Sequence, residues 1–169
     1  MVNLNNVTNL VGVLTLLCDD DANTVQKAEK TLKPFLKTSA SAVPLMQVLV
    51  GGSDDAVREK AATLLKKRIG AFYPSYTREQ QNQLKAQLLS QLLSEQSKAV
   101  ANAVCGVVGS VAGAIYSNHQ QWHELFEFIF QLIAQDPDEK HRVLAFSLLA
   151  VVSEFLNIPS SLLSYSIDC

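Results

Sequence analysis

The chain has 169 residues, enough for one domain with a sizeable core, and a formal net charge of −2, which gives no bulk attraction to nucleic acid. Apolar residues make up 48% and charged residues 18%, a composition that favours a well-buried globular fold over disorder. Three widely spaced cysteines (Cys18, Cys105, Cys169) with no CxxC support neither a disulfide framework nor a zinc site, so a reducing compartment is the simpler setting.

Apolar residues recur with helical spacing nearly everywhere, and no alternating strand pattern bounded by hairpin turns is present. The N-terminus lacks a basic segment and a small-residue cleavage site, so no secretory signal is read there. Breaks at 18–23, 38–41, 51–55, 73–77, 95–97, 117–119 and 136–138 divide the chain into eight helices. Asp21 or Asn23 is placed to cap the second helix, Asp54 or Asp55 the fourth, and Asp136 or Asp138 the eighth. The acidic run 19–21 therefore reads as a helix end and cap rather than a cation site. Pro34 falls inside KTLKPFLK and predicts a kink or a loosened turn. Residues 99–116 (AVANAVCGVVGSVAGAIY) are just long enough for a short membrane span, and Gly109 and Gly113 form a GxxxG pair. Asn102 within the segment and Lys98 at its edge favour a soluble helix packed closely on both sides, so no membrane insertion is expected. Cys105 in that helix reads as an inert buried thiol. His119 and His123 have a spacing that can hold a metal, yet no acid stands between them and no third ligand is evident. Trp122 reads as a packing anchor. No P-loop, GxSxG or paired-carboxylate constellation occurs, so neither catalytic residues nor a cofactor is assigned, and the chain is not read as an enzyme.

Every second helix carries an alanine in one register: Ala28, Ala61, Ala103 and Ala145, separated by 33, 42 and 42 residues. Four residues after each stands Leu32, Leu65, Val107 or Leu149, and three before each stands Val25, Arg58, Val100 or Arg142. A helix pair recurring about every 40 residues is the spacing of HEAT or armadillo arrays, and the small residue lets neighbouring helices approach closely. Tetratricopeptide repeats would have a period near 34 and a W-x-x-L-G-x-x-Y pattern, which is absent. The expected fold is an all-α HEAT-repeat solenoid of about four helix pairs in a right-handed stack, with repeats at 1–39, 40–73, 77–117 and 119–157.

The segment VREKAATLLKKRI, residues 57–69, is at once apolar and basic. Wound at about 100° per residue, it gathers Val57, Ala61, Leu64, Leu65 and Phe72 on one face and sets Lys60, Thr63, Lys66 and Lys67 on the opposite arc. Arg68 projects near the apolar stripe, where its stem can pack. Arg58 lies at the stripe's edge, placed to pair with an acid of a neighbouring repeat. The preceding even-numbered helix carries Lys27, Lys30, Lys33 and Lys37 against Glu29 alone. Second helices line the concave binding surface of helix-pair solenoids, so the two helices together predict a basic patch facing a partner.

The stretches AEKTLKPFL (28–36), VREKAATLLKKRI (57–69) and QLKAQLLSQL (83–92) resemble, in order and spacing, the N-terminal region of the importin-β (karyopherin-β) family. Ala28, Glu29, Leu32 and Phe35, then Arg58, Ala61, Ala62, Leu65, Lys66 and Ile69 carry the likeness, which covers about residues 5–157. The all-basic Lys66-Lys67-Arg68 is most similar to the importin-4-type branch. The resemblance implies a nuclear transport receptor that shuttles between cytoplasm and nucleus through the nuclear pore in protein import. It implies Ran-GTP as the partner of the first repeats, and cargo proteins and nucleoporins as partners of the full-length receptor. Matched by position, the Ran contacts fall on Lys66 and Lys67, with Gln26, Lys30 and Asn102 from neighbouring second helices. Family receptors are several times longer, and 158–169 begins like a further first helix, so the chain is read as an N-terminal fragment or a truncated product. The alternative is a general HEAT-repeat interaction scaffold unrelated to Ran.

Overall fold

The computed structural model describes residues 3–134 and 139–156, and among these residues the chain forms eight α-helices. They are α1 (Val7–Leu16), α2 (Ala22–Phe35), α3 (Ala42–Gly51), α4 (Asp55–Phe72), α5 (Arg78–Ser94), α6 (Lys98–Ser117), α7 (His123–Ala134) and α8 (Glu139–Leu156). Short 3₁₀ turns at Ser39–Ser41 and Tyr73–Ser75 lead into α3 and out of α4. No strand occurs among the described residues.

The boundaries follow from capping chemistry. Asp21 accepts the Asn23 and Thr24 N–H groups, at 3.3 and 2.9 Å, and opens α2. Asp54, rather than Asp55, opens α4 by accepting from the Val57 N–H at 2.9 Å. Thr77 and Gln80 form a reciprocal capping box at the start of α5. Asp136 and Asp138, the expected caps of α8, lie outside the described residues. Pro34 stands in the last turn of α2. The helix ends one residue later, so the ring removes one hydrogen bond of the last turn rather than interrupting a long run. His119 closes α6 in the left-handed region at φ 56°, with the Gln120 N–H reaching the Ile115 carbonyl and its own N–H reaching Tyr116. This is a Schellman closure. His119 and His123 therefore belong to a turn and to the next helix, not to successive turns of one helix. Among the described residues no group of three or more His, Cys, Asp or Glu could hold a metal.

Helices pack as the pairs α1–α2, α3–α4, α5–α6 and α7–α8, and the pairs stack through α4, α6 and α8. The result is a HEAT-repeat helical solenoid whose core runs continuously through the stack. Close approaches at glycines fix the register. A Cβ at Gly70 would lie 3.1 Å from the Ser110 carbonyl oxygen, and one at Gly106 would lie 2.9 Å from Lys66 Cδ. Both pairs are 40 residues apart, so α4 and α6 run parallel. Gly109 meets Val151 of α8 at an offset of 42. The apolar 20-residue helix α6 passes a length-and-hydropathy test for a membrane span, with 56% of that window buried in the protein. Its place between α4 and α8 accounts for its small residues.

The buried face of α4 is Val57, Ala61, Ala62, Leu65 and Ile69, with Leu64 and Phe72 half-buried at its margin. Ala28, Ala61 and Ala145 are all buried. Ala103 is only partly buried, and Val104 beside it is fully enclosed. The helix is apolar nearly all round, so a one-residue rotation still buries valines.

Candidate partner-binding surface

Lys66, Lys67 and Arg68 are exposed on α4, while Lys60 and Thr63 are half-buried on the same polar arc. Gln26 and Lys30 stand one turn apart, exposed, on α2, which buries only Ala28 and Leu32 and packs chiefly on α1. Asn102 is exposed on α6, one turn before Gly106. The Lys66 side chain lies over Gly106, one turn along α6 from Asn102. Gln26 and Lys30 stand on a separate helix, since α2 is not among the helices packed extensively against α4.

Arg58 secures α4. Its guanidinium pairs with both oxygens of Glu95 in the next repeat, bonds Asp55 at 2.9 Å and reaches the Leu49 carbonyl at 3.0 Å. The Glu95 side chain is 2% exposed. It also accepts from Gln91 at 2.8 Å and from the Gln96 and Ser97 N–H groups at 3.0 and 2.9 Å. Burial alone would raise its pKa. The Ser97 N–H, the Arg58 and Gln91 hydrogen bonds and the Arg58 charge outweigh that and lower it. Lys140 of α8 donates to the Glu95 carbonyl at 2.6 Å and to the Gln96 side chain at 3.1 Å, so one short turn ties three repeats together. Arg142, the counterpart of Arg58 in the alanine register, is exposed.

Sequence reasoning placed an acid opposite Arg58 but did not find Glu95 or Lys140. The available signal was the polar turn SEQS at 94–97, where a carboxylate precedes a helix start. Cys105 is buried and its thiol is pushed up to about 11 by desolvation. Trp122 is fully buried, with the Lys85 ammonium 6.0 Å from its ring centroid, so it anchors the start of α7. On the opposite side of the stack, Val43, Met46 and Val50 of α3 and Tyr76 and Leu84 at α5 line a groove of about 410 Å³.

Stacked helix pairs, an exposed basic arc on one layer and ionic ties between repeats define a helical-repeat protein. Two family models then place it. The importin-beta N-terminal domain matches residues 28–94, and the model described as IPO5-like, TPR repeats, matches residues 96–160. Following one another without overlap across most of the sequence, they support an importin-β family N-terminal region, and this family is one of nuclear transport receptors. No curated protein matches the chain. The second description names tetratricopeptide repeats, also built from helix pairs. This chain lacks their W-x-x-L-G-x-x-Y pattern, and its stacking offsets of 40 and 42 residues are those of HEAT arrays.

Proposed function

We propose that this chain is a Ran-GTP-binding module of an import receptor, and that Lys66 and Lys67 are its principal contacts. The observation that carries this reading is the importin-beta N-terminal match over 28–94, within which α4 exposes both lysines. Lys30, Gln26 and Asn102 are secondary contacts in this proposal. The reading also takes in repeats at 1–39, 40–73, 77–117 and 119–157, the importin-4-type branch, and shuttling through the nuclear pore. Cargo and nucleoporins bind the full-length receptor. The module carries and does not catalyse.

The test is a pull-down with Ran loaded with GTP or GDP, followed by binding kinetics for the Lys66→Glu/Lys67→Glu double variant. GTP-loaded Ran is the form expected to bind. Two reversed charges at a complementary surface should weaken affinity about tenfold or more, with a slower association that salt suppresses. Both side chains are exposed, so the thermal midpoint should hold. Equal indifference to both nucleotide states would leave a general HEAT scaffold as the function.

A further inference from the structure

We propose that Gly106 is a positioning residue: its missing side chain forms a notch on α6 that holds Lys66 against the next repeat, one turn along α6 from Asn102. The recognised chemistry is a carboxylate of an acidic partner protein. This inference deepens the Ran-GTP reading and rests on it for the partner's identity.

A lysine on an exposed helical arc ordinarily samples many rotamers, and binding must freeze them. Lys66 differs. A Cβ built on Gly106 would lie 2.9 Å from its Cδ and 3.2 Å from both Cε and Nζ, so the last three side-chain atoms already occupy that space. Gly106 is buried although it faces the exposed arc of α4, because the lysine stem helps cover it. The Ser110 hydroxyl donates to the Gly106 carbonyl at 3.2 Å, and Gly70 meets Ser110 one turn further along both helices. The notch is thus set by the same register that stacks the repeats. Among the glycines whose surroundings are described, at 12, 51, 52, 70, 106 and 109, none meets Lys67. Prior ordering lowers the cost of binding, so Lys66 is the lysine that fixes the partner's register, while Lys67 acts through charge at longer range.

The experiment uses the full chain and Gly106→Ala, whose added methyl displaces only the far end of a flexible side chain. Circular dichroism and a thermal melt confirm that the variant is folded. The partner-free readout is residue-resolved acetylation by limiting acetic anhydride, followed by mass spectrometry. Lys66 should react more slowly than Lys67 in the parent chain, and the two rates should converge in Gly106→Ala. With GTP-loaded Ran, Gly106→Ala should weaken binding about threefold or more. That loss should vanish in a Lys66→Met background and persist in a Lys67→Met background. Unchanged Lys66 labelling, or an equal loss in the Lys66→Met background, overturns the positioning role. Converging labelling rates without Ran binding by either form would support the notch and defeat the Ran reading instead.

Discussion

Removing the Glu95 carboxylate by Glu95→Ala should cost about 3 kcal/mol of stability at neutral pH. Breaking a buried ion pair by deleting one partner typically costs about 3–5 kcal/mol, because a charge is left buried without compensation. Here the stranded group is Arg58, whose side chain is 12% exposed. Its remaining bonds to Asp55 and to the Leu49 carbonyl hold part of the guanidinium, which points to the lower end. The N–H groups of Gln96 and Ser97 also lose their acceptor. The assay is urea unfolding followed by far-UV circular dichroism, with Asp55→Ala as the control. Asp55 is 59% exposed, so its pair should be worth less than about 1 kcal/mol. The pH dependence supplies a second check. Glu95's folded pKa is depressed, so its stabilisation is fully present above the ordinary value of 4.5 and is lost as pH falls through the lower folded value. Parent and Glu95→Ala should therefore differ most at neutral pH and converge in acid. A loss below about 1 kcal/mol at pH 7, or a gap that does not narrow in acid, would refute the buried-tie reasoning.

Two further outcomes test the packing. Ala61→Leu, at a site with no exposure, should destabilise by roughly 1–3 kcal/mol, whereas Ala103→Leu at its half-buried site should cost less than about 1 kcal/mol in the same denaturation assay. Peptide mapping after iodoacetamide treatment of the native protein at pH 8 should find Cys18 modified and Cys105 nearly untouched, because Cys105 is buried and its thiol titrates at about 11.

Local signals carried most of the fold. Asp21 and Asp54 cap the helices that their positions predicted, and the small residues of α6 announced a helix enclosed on two sides. The fit of Ala103 was less legible, since Val100, Ala103, Val104, Val107 and Val108 leave no polar face to mark the rotation of α6. The site was legible only in part. Lys66 and Lys67 stand out as charges on an amphipathic helix. Glu95 pairs with Arg58 at 37 residues' separation, and its carbonyl meets Lys140 at 45, so both contacts depend on how repeats stack. His119 misled because a spacing of four residues means one helical face only when no turn intervenes.

The two layers of the stack are spaced unequally. Along the α4–α6–α8 layer, Gly70 meets the Ser110 backbone, and Gly106 and Gly109 receive the Lys66 and Val151 side chains of the adjacent helices. Across the other layer, α3 and α5 stand far enough apart to leave the groove of about 410 Å³. A row of units narrower on one side than the other behaves like the stones of an arch: each wedge adds a small rotation of the same sign, and the row curls toward its narrow side. The helix that carries the basic arc, α4, belongs to the closely packed layer, and on the inner side of such a curl polar groups from successive units converge on one centre. Groups on the outer arc diverge, so a bulky rigid partner can engage several repeats at once only from within the curl.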